Sequence, residues 1–456
     1  MNETRELAKF IAKARFEDFP PGMVERMKGY VLDTIGAGFV GATMPWSQMI
    51  TRMAKTLGGS PEASMFGQQW KTDVSRAALV NGSMIGAFEA EHSGHAGGLV
   101  FPAALAIAER DHRDGRAFLT ALMLGYEVVH RTMAAQTMAV ETDRGFHNPG
   151  VLGPFASATA VGKLLGLDET KMAWALGIAG SHSAGLIEFV WEGAMTKRLH
   201  EGRAAANGLE SALLAQMGFT GPTTVMEGQY GYLNAVSPTP HPERLTEQLG
   251  TVWRGDHRPI KAYACHSVSL ALVHAVQVFK RTNAIDPKAI QRIVLLTPAT
   301  HGDLAHGEAE DRHQDSEPDS IMGAQYSIPF MVAIALCRDL VNDPIMTEET
   351  LKDPVIRRLA KRVETKAERQ SKPGDKTIEV RLEMADGKQH AFLATTFPGS
   401  PDNPLDYKGV AEKFRRFTSR LLTERRADEI INLIVDVDEV RDMAEIGALI
   451  RSASAG

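Results

Sequence analysis

Apolar residues in roughly the first 260 positions follow a helical spacing. Leu7, Ile11 and Ala14 recur at intervals of four and three, which places them on one face of a helix. The Pro-Pro-Gly sequence at 20–22 predicts a break before a second helix that includes Ile35. Further helices are predicted over residues 154–165, 172–178 and 199–217.

The pattern changes after about residue 265, where runs typical of strands begin. Residues 290–297 (IQRIVLLT) are apolar and β-branched, and residues 376–384 (KTIEVRLEM) alternate apolar with mostly charged side chains. Asp386-Gly387 separates the second run from residues 388–397, a sequence typical of a β-hairpin. These runs predict strands in a unit that also contains helices.

Helices are predicted between these strands and again near the end of the chain, over residues 328–340, 348–363 and 405–449. We therefore expect a mainly α protein with a second, smaller α+β domain. The large all-helical domain is predicted to comprise residues 1–265 and 405–456, and the α+β domain residues 266–404.

Charge and cysteine content limit the function classes. Fifty Lys and Arg against 56 Asp and Glu give a net charge of −6, without the basic field that nucleic-acid or anionic-membrane binding usually needs. Two cysteines cannot form a disulfide framework. The N-terminus lacks the apolar core of a signal peptide, and the apolar run 30–44 is too short to span a membrane. We predict a cytoplasmic protein that binds neither nucleic acid nor membranes.

Glycines gather around histidines and lysines, first at EAEHSGHAGG (89–98). Glycine lets the backbone adopt positive φ and approach a ligand closely. The spacing of Glu89, His92 and His95 would suit a metal ion, but the glycines argue against a regular helix to hold the three, and no fourth ligand is evident. Loop structure or contact with an organic substrate is favoured over a metal, and we predict no metal.

A second cluster, GFHNPG (145–150), places His147 at a loop-to-helix junction. Its side chain is predicted to act as acid, base or anion donor, or equally to be a hydrogen-bonded structural histidine. The third cluster (193–204) carries Lys197, Arg198, His200 and Arg203 ahead of an alanine-rich helix. Arginine binds carboxylates through two hydrogen bonds, and a desolvated lysine can take a proton. The alternative is a solvated basic face.

The fourth cluster, KAYACH (261–266), lies where the two predicted domains meet. Ligand sites favour domain junctions, although an ordinary connector explains this stretch as well. Cys265 is disfavoured as a nucleophile activated by His266, because adjacent residues rarely face each other. An acidic, turn-rich stretch at residues 306–319 is predicted to be a solvated surface insertion rather than a functional lid.

In this order and spacing, the four clusters resemble the MmgE/PrpD family, which contains 2-methylcitrate dehydratases, cis-aconitate decarboxylases and iminodisuccinate epimerases. The resemblance extends from VLDTIGAGFVGA (31–42) to AQYSIPFMVAIAL (324–336). It implies a large helical domain and a smaller α+β domain, with the active site in the cleft between them. It also implies a homodimer and no organic cofactor.

By matching positions, the resemblance implies five catalytic candidates: His95, His147, Lys197, Lys261 and His266. Substrate-binding roles are predicted for five more residues: Glu91, His92, Arg198, Arg203 and Phe330. The sequence departs from the family at three places, and at one of them the family's His-Pro-Gly is His95-Ala96-Gly97. The usual Asp-Phe-Asp-Asp-Thr-His stretch is AFEAEH (87–92) here, and Phe330 stands where the decarboxylases have a tyrosine.

Chemistry at a carbon next to a carboxylate is what the activities of the family share. Fixed cations stabilise the carbanion-like state in a water-poor site, and a neutral His or Lys removes the proton. We predict a cofactor-independent lyase of the dehydratase type, similar to 2-methylcitrate dehydratase, that acts on a small di- or tricarboxylic acid. Lys197 or His147 would be the base and His95 or His266 the acid. The alternatives are an epimerase or isomerase of a substituted succinate such as iminodisuccinate, and a non-catalytic carboxylate-binding protein.

Overall fold

The chain divides into two compact units in the computed structural model, which describes residues 2–92, 94–298, 313–369 and 375–451. The first unit comprises Met1–Glu188, Thr196–Ile260 and Leu405–Gly456, and the second comprises Phe189–Met195 and Lys261–Pro404.

The first unit is built from helices. Its first helix buries Leu7, Ala8 and Ile11 on one side, as the apolar spacing predicts. The helices of this unit are Glu3–Lys13, Pro21–Ala42, Pro45–Leu57, Val74–Ile85, Ala96–Arg110, Gly115–Gln136, Ala139–Thr142, Asn148–Leu164, Glu169–Ser181, Lys197–Gln216, Tyr232–Val236, Tyr407–Thr418, Glu424–Val435 and Ala444–Arg451.

Two helix boundaries differ from those expected from the sequence. The helix predicted to begin at Pro154 begins at Asn148 and carries Pro154 inside it. Pro149 lies in the first turn, where a missing backbone N–H breaks no helical hydrogen bond. Gly97 and Gly98, which were expected to prevent a regular helix, lie in the first turns of Ala96–Arg110.

A four-stranded sheet organises the second unit. Its strands are β1 (Ile290–Pro298), β2 (Val363–Arg369), β3 (Ile378–Met384) and β4 (Gln389–Ala394). The order is β2-β1-β3-β4, with β1 parallel to β2 and the other neighbours antiparallel. The helices of this unit are Phe189–Glu192, Leu270–Thr282, Ile321–Tyr326, Ile328–Cys337, Glu348–Lys352 and Pro354–Ala360.

The predicted hairpin is confirmed. Glu383 pairs with Gln389, and Gly387 in the connecting turn has a φ of 84°, which favours glycine. The single helix predicted over 348–363 is wrong, because Pro354 starts a second helix and Val363 begins β2. The fold class, a large helical part and a smaller α+β part, is confirmed. Among the described residues, no helix is both long and apolar enough to cross a membrane.

Candidate active site

A strained loop carries the first set of site residues, between the helix that ends at Ile85 and the one that begins at Ala96. Glu89 and His95 both have a φ of 57°. A non-glycine residue in this region costs about 1–3 kcal/mol and is typical of functional sites. The loop is fixed from behind, because Asp33 accepts a 2.9 Å hydrogen bond from the backbone N–H of His92 and Lys413 donates to the carbonyl of Ala90 at 2.6 Å.

His95 lies between two carboxylates. Its Nδ1 atom is 2.6 Å from Oε1 of Glu91 and 3.0 Å from Oε1 of Glu201, and both carboxylates are buried. Burial alone would favour the neutral imidazole, but the negative charges of Glu201 and Glu91 raise the pKa of His95 to about 9. The imidazole is therefore protonated at neutral pH and can act as an acid or hold an anion.

Lys197 and Arg198 form a buried ion cluster with Glu89. Nζ of Lys197 donates to Oε1 of Glu89, and Nη1 of Arg198 lies 3.3 Å from the same oxygen. Arg198 also donates to the carbonyl of Gly86 at 3.2 Å. Buried charges are stable only when they are paired and hydrogen-bonded. The cluster thus fixes two cations at the start of the Lys197–Gln216 helix.

His147 and His200 form a pair of imidazoles close to His95. The Nδ1 atoms of the pair are 2.9 Å apart, and the rings of His95 and His147 have centroids 6.3 Å apart. Burial and then the charge of Lys197 lower the pKa of His200 to about 4. His147 directly precedes the Asn148–Leu164 helix, at the loop-to-helix junction that the sequence indicates.

His92 and Arg203, two predicted substrate-binding residues of the first unit, have surroundings of a different kind. His92 is fully buried, 3.2 Å from Asp33, with its ring packed against Tyr30 and Tyr126 at centroid distances of 5.0 and 5.4 Å. Arg203 is exposed on its helix. These surroundings are those of a structural histidine and a surface arginine. Substrate binding by either residue stays a prediction.

The predicted site residues of the second unit are all shielded from solvent to some degree. Lys261 is buried, and the His266 ring stacks on His313 and Tyr326 at centroid distances of 4.8 and 4.6 Å. Phe330 is fully buried in the Ile328–Cys337 helix. Their catalytic and binding roles stay predictions.

Cys265 is fully buried. Burial raises the pKa of the Cys265 thiol to about 12 despite the charge of Lys261, so at neutral pH it is an un-ionised thiol and a poor nucleophile.

Residues 306–312 of the predicted surface insertion lie outside the described residues. His313, in the described part, is half-buried and donates to the carbonyl of Tyr326 at 2.7 Å.

One group of side chains has a spacing that a metal ion could bridge. Single ligand atoms of Glu89, Glu91 and His95 lie within 4.8 Å of one another. However, Lys197 and Arg198 already provide positive charge to Glu89, and Glu91 faces the His95 cation. These contacts explain the three side chains without a metal, and the absence of a metal stays a prediction.

Sequence reasoning missed Glu201 and the pairing partner His200 as site residues. Glu201 lies one turn after Lys197 on the same helix. A Cβ atom added at Gly86 or at Gly98 would overlap its carboxylate. Gly86 and Gly98 were the features of the sequence that could have indicated a buried group here, because a glycine often allows another group to approach the backbone closely. Without the fold, nothing indicates which group approaches them.

The geometry combines a protonated imidazole, His95, a neutral imidazole, His200, that is hydrogen-bonded to His147, and two fixed cations. Pairs of titratable groups whose pKa values are pushed apart are typical of acid–base catalysis. Lysine and arginine beside them provide charge that stabilises an anionic transition state. The first unit thus contains the groups that proton transfer next to a carboxylate requires.

Sequence profiles assign the chain to a family. The profile of the MmgE/PrpD N-terminal domain matches residues 5–245, and that of the MmgE/PrpD C-terminal domain matches residues 263–439. The chain therefore belongs to the MmgE/PrpD family, and the family prediction is confirmed.

Curated relatives match over nearly their whole length. A cis-aconitate decarboxylase-like protein of Aspergillus oryzae is 29% identical, covering 98% of this chain and 97% of the relative. The cis-aconitate decarboxylase of Aspergillus terreus is 27% identical over 97% and 94% of the two chains. That of Mus musculus is 25% identical over 99% and 94%.

Proposed function

We propose that this protein is a lyase that acts on a small di- or tricarboxylic acid without an organic cofactor, with decarboxylation of an unsaturated tricarboxylate as the leading reaction. The observation that carries this proposal is the position of the His95 imidazole between the buried carboxylates of Glu91 and Glu201. The names of the relatives support the same class, since all three are called cis-aconitate decarboxylases or decarboxylase-like.

A decarboxylase needs an acid more than a base. When a carboxylate leaves an unsaturated acid as CO₂, the electron pair of the broken C–C bond forms a new double bond. The electrons of the old double bond then take a proton at the far carbon. His95 can donate this proton from Nε2. Proton transfer from a positioned group typically contributes ~10²–10⁴-fold to the rate.

Lys197 and Arg198 serve the substrate carboxylates in this proposal. They are buried and held by Glu89, so they need no reorganisation when the charge on the substrate shifts. A dehydratase would use the same groups differently. His95 would protonate the leaving hydroxide, and an imidazole of the His147–His200 pair would remove the α-proton.

Proton NMR in D₂O with cis-aconitate, citrate, 2-methylcitrate and iminodisuccinate tests the proposal. We expect loss of CO₂ from an unsaturated tricarboxylate, with one deuterium incorporated into the product. An alkene formed with all carboxylates retained would show a dehydratase, and α-proton exchange alone an epimerase. Binding of these acids without exchange or elimination at any pH would overturn the assignment as an enzyme.

The predicted homodimer and the cytoplasmic location remain part of the proposal. Light scattering on the purified protein at micromolar concentration checks the first: we expect about twice the 49.6 kDa mass of the chain. A single-chain mass at all concentrations would contradict it.

A further inference from the structure

We propose that Glu201 is a positioning residue that, together with Glu91, keeps the His95 imidazole protonated and leaves its Nε2–H as the donor available to a substrate. The protonation state stands independently of the reaction, and only the donor role rests on the proposed function.

The charges around Nδ1 of His95 favour the protonated imidazole. Two carboxylate oxygens lie within 3.0 Å of Nδ1, one from Glu91 and one from Glu201. A neutral imidazole would leave these two buried negative charges without a positive charge beside them, which is costly. With Nδ1 carrying a proton, two negative charges at this distance also favour a second proton on Nε2, at the other side of the ring.

The carboxylate of Glu201 fills a space that is open only because Gly86 and Gly98 have no side chains. Its side chain is almost fully buried, and Oε2 has no hydrogen-bond partner among the residues that the structure describes. A Cβ at Gly86 would meet Oε1, and one at Gly98 would meet Oε2. A buried carboxylate without full hydrogen bonding is costly, so a nearby positive charge is required to hold it ionised.

The helix that carries Glu201 also connects it to the remaining site. Lys197 lies four residues earlier on this helix, so Glu201 and Lys197 project from adjacent turns of one rigid element. A single helix thereby fixes the distance between the cation that pairs with Glu89 and the carboxylate that faces His95.

Two further titratable groups face His95 from other helices of this unit. Glu141 is largely shielded and its carboxylate accepts a 2.9 Å hydrogen bond from the backbone N–H of Asn148. Burial raises its pKa, against the opposing charge of His95. His147 is hydrogen-bonded to His200 at 2.9 Å. Neither is in direct ion-pair contact with Nδ1, so Glu91 and Glu201 dominate the charge on His95.

Nuclear magnetic resonance titration of the unliganded, histidine-labelled protein tests the proposal without any substrate. His95→Gln assigns the His95 signal. We expect wild-type His95 to titrate near pH 9 and Glu201→Gln to move this midpoint down by about one unit or more. Glu210→Gln, a half-buried glutamate on the same helix that pairs with Ser75, is the matched control and should leave the midpoint unchanged.

Glu91→Gln should lower the same midpoint, which keeps the test decisive if Glu201→Gln fails to fold. A wild-type midpoint near 6.5, or an unchanged midpoint in both glutamine variants, would overturn the proposal. A shifted midpoint in a protein that turns over no polycarboxylate would retain the role of Glu201 and remove the proposed function. Turnover of a polycarboxylate by a protein whose His95 midpoint is unshifted would retain the proposed function and remove the role of Glu201.

Discussion

The Nδ1 atoms of His147 and His200 lie 2.9 Å apart, so one donates the hydrogen bond and the other must accept it. A pair joined in this way cannot carry a proton on both Nδ1 atoms. Burial and the charge of Lys197 keep His200 neutral at physiological pH, with a pKa of about 4. His200 is therefore a neutral hydrogen-bond partner for the His147 imidazole, whose ring centroid lies 6.3 Å from that of His95.

Removing the His200 partner should impair turnover in a way that depends on the replacement. Asparagine places a polar atom near the position of Nδ1 and keeps a partner for His147, whereas leucine does not. We expect kcat of His200→Leu to fall by ~10²-fold and that of His200→Asn to fall less. Steady-state kinetics measure both, and equal activity in the leucine variant and wild type would refute the role of the pair.

Lys197→Ala should abolish most turnover and leave the helical content intact. The variant removes a fixed cation, and loss of such a group typically costs ~10²–10³-fold in kcat. Arg198 remains to compensate Glu89, so the chain should still fold. The control is Lys9→Ala, an exposed lysine of the first helix. Near-normal activity of Lys197→Ala, with circular dichroism like that of wild type, would contradict the assignment.

Gly98→Ala should displace the carboxylate of Glu201, because the added Cβ would overlap Oε2. We expect the alkaline limit of activity to move down, because the displaced carboxylate would raise the pKa of His95 less. Gly29→Ala is the control, since a Cβ there would meet Val410 at an ordinary 3.7 Å. If both alanine variants keep the wild-type pH profile, Glu201 does not need the space beside Gly98.

Helices with clear apolar periodicity could be predicted from the sequence, as Leu7 and Ile11 within Glu3–Lys13 illustrate. Strand β2 could not be predicted. Its sequence VETKAER lacks apolar alternation and reads as the end of a helix, yet its backbone pairs in parallel with β1. An edge strand needs hydrogen-bonding partners more than apolar side chains, and those partners lie about 70 residues earlier in the chain.

The part of the candidate site that depends on local sequence features could also be predicted. His95, His147 and Lys197 stand beside glycines and at helix starts, which are local features of the sequence. The ion pairs of His95 with Glu201 and of Lys197 with Glu89 join residues more than 100 positions apart. Only the packing of the helices brings these groups together, and the spacing along the chain does not indicate it.

The buried pair of Asp33 and Lys413 should support the loop that carries His95. Lys413→Met leaves Asp33 buried without its cation and removes the donor to the carbonyl of Ala90. We expect the free energy of unfolding to fall by about 3–5 kcal/mol. Adding Asp33→Asn should recover part of this loss. Urea denaturation checks both, and a loss below about 1 kcal/mol in the single variant would contradict the prediction.

His95 should also make stability depend on alkaline pH. Its pKa is about 9 in the folded protein and about 6.5 when unfolded, so the folded state binds the proton more tightly. The resulting stabilisation is fully present below about pH 6.5 and is lost as pH rises through about 9. The unfolding free energy of wild type should therefore fall over this range by more than that of His95→Gln. Equal slopes in the two proteins would show that His95 has no raised pKa.

The pH dependence of kcat/KM for the wild-type enzyme tests the central claim most directly, because it reports the ionisation of essential groups in the free enzyme. The substrate is the acid that the NMR assay in D₂O identifies. If protonated His95 is the catalytic acid, kcat/KM for this substrate should stay constant up to about pH 9 and then decline with a single ionisation. A decline centred near pH 6.5 would contradict the account, since it would belong to a histidine without the two carboxylates.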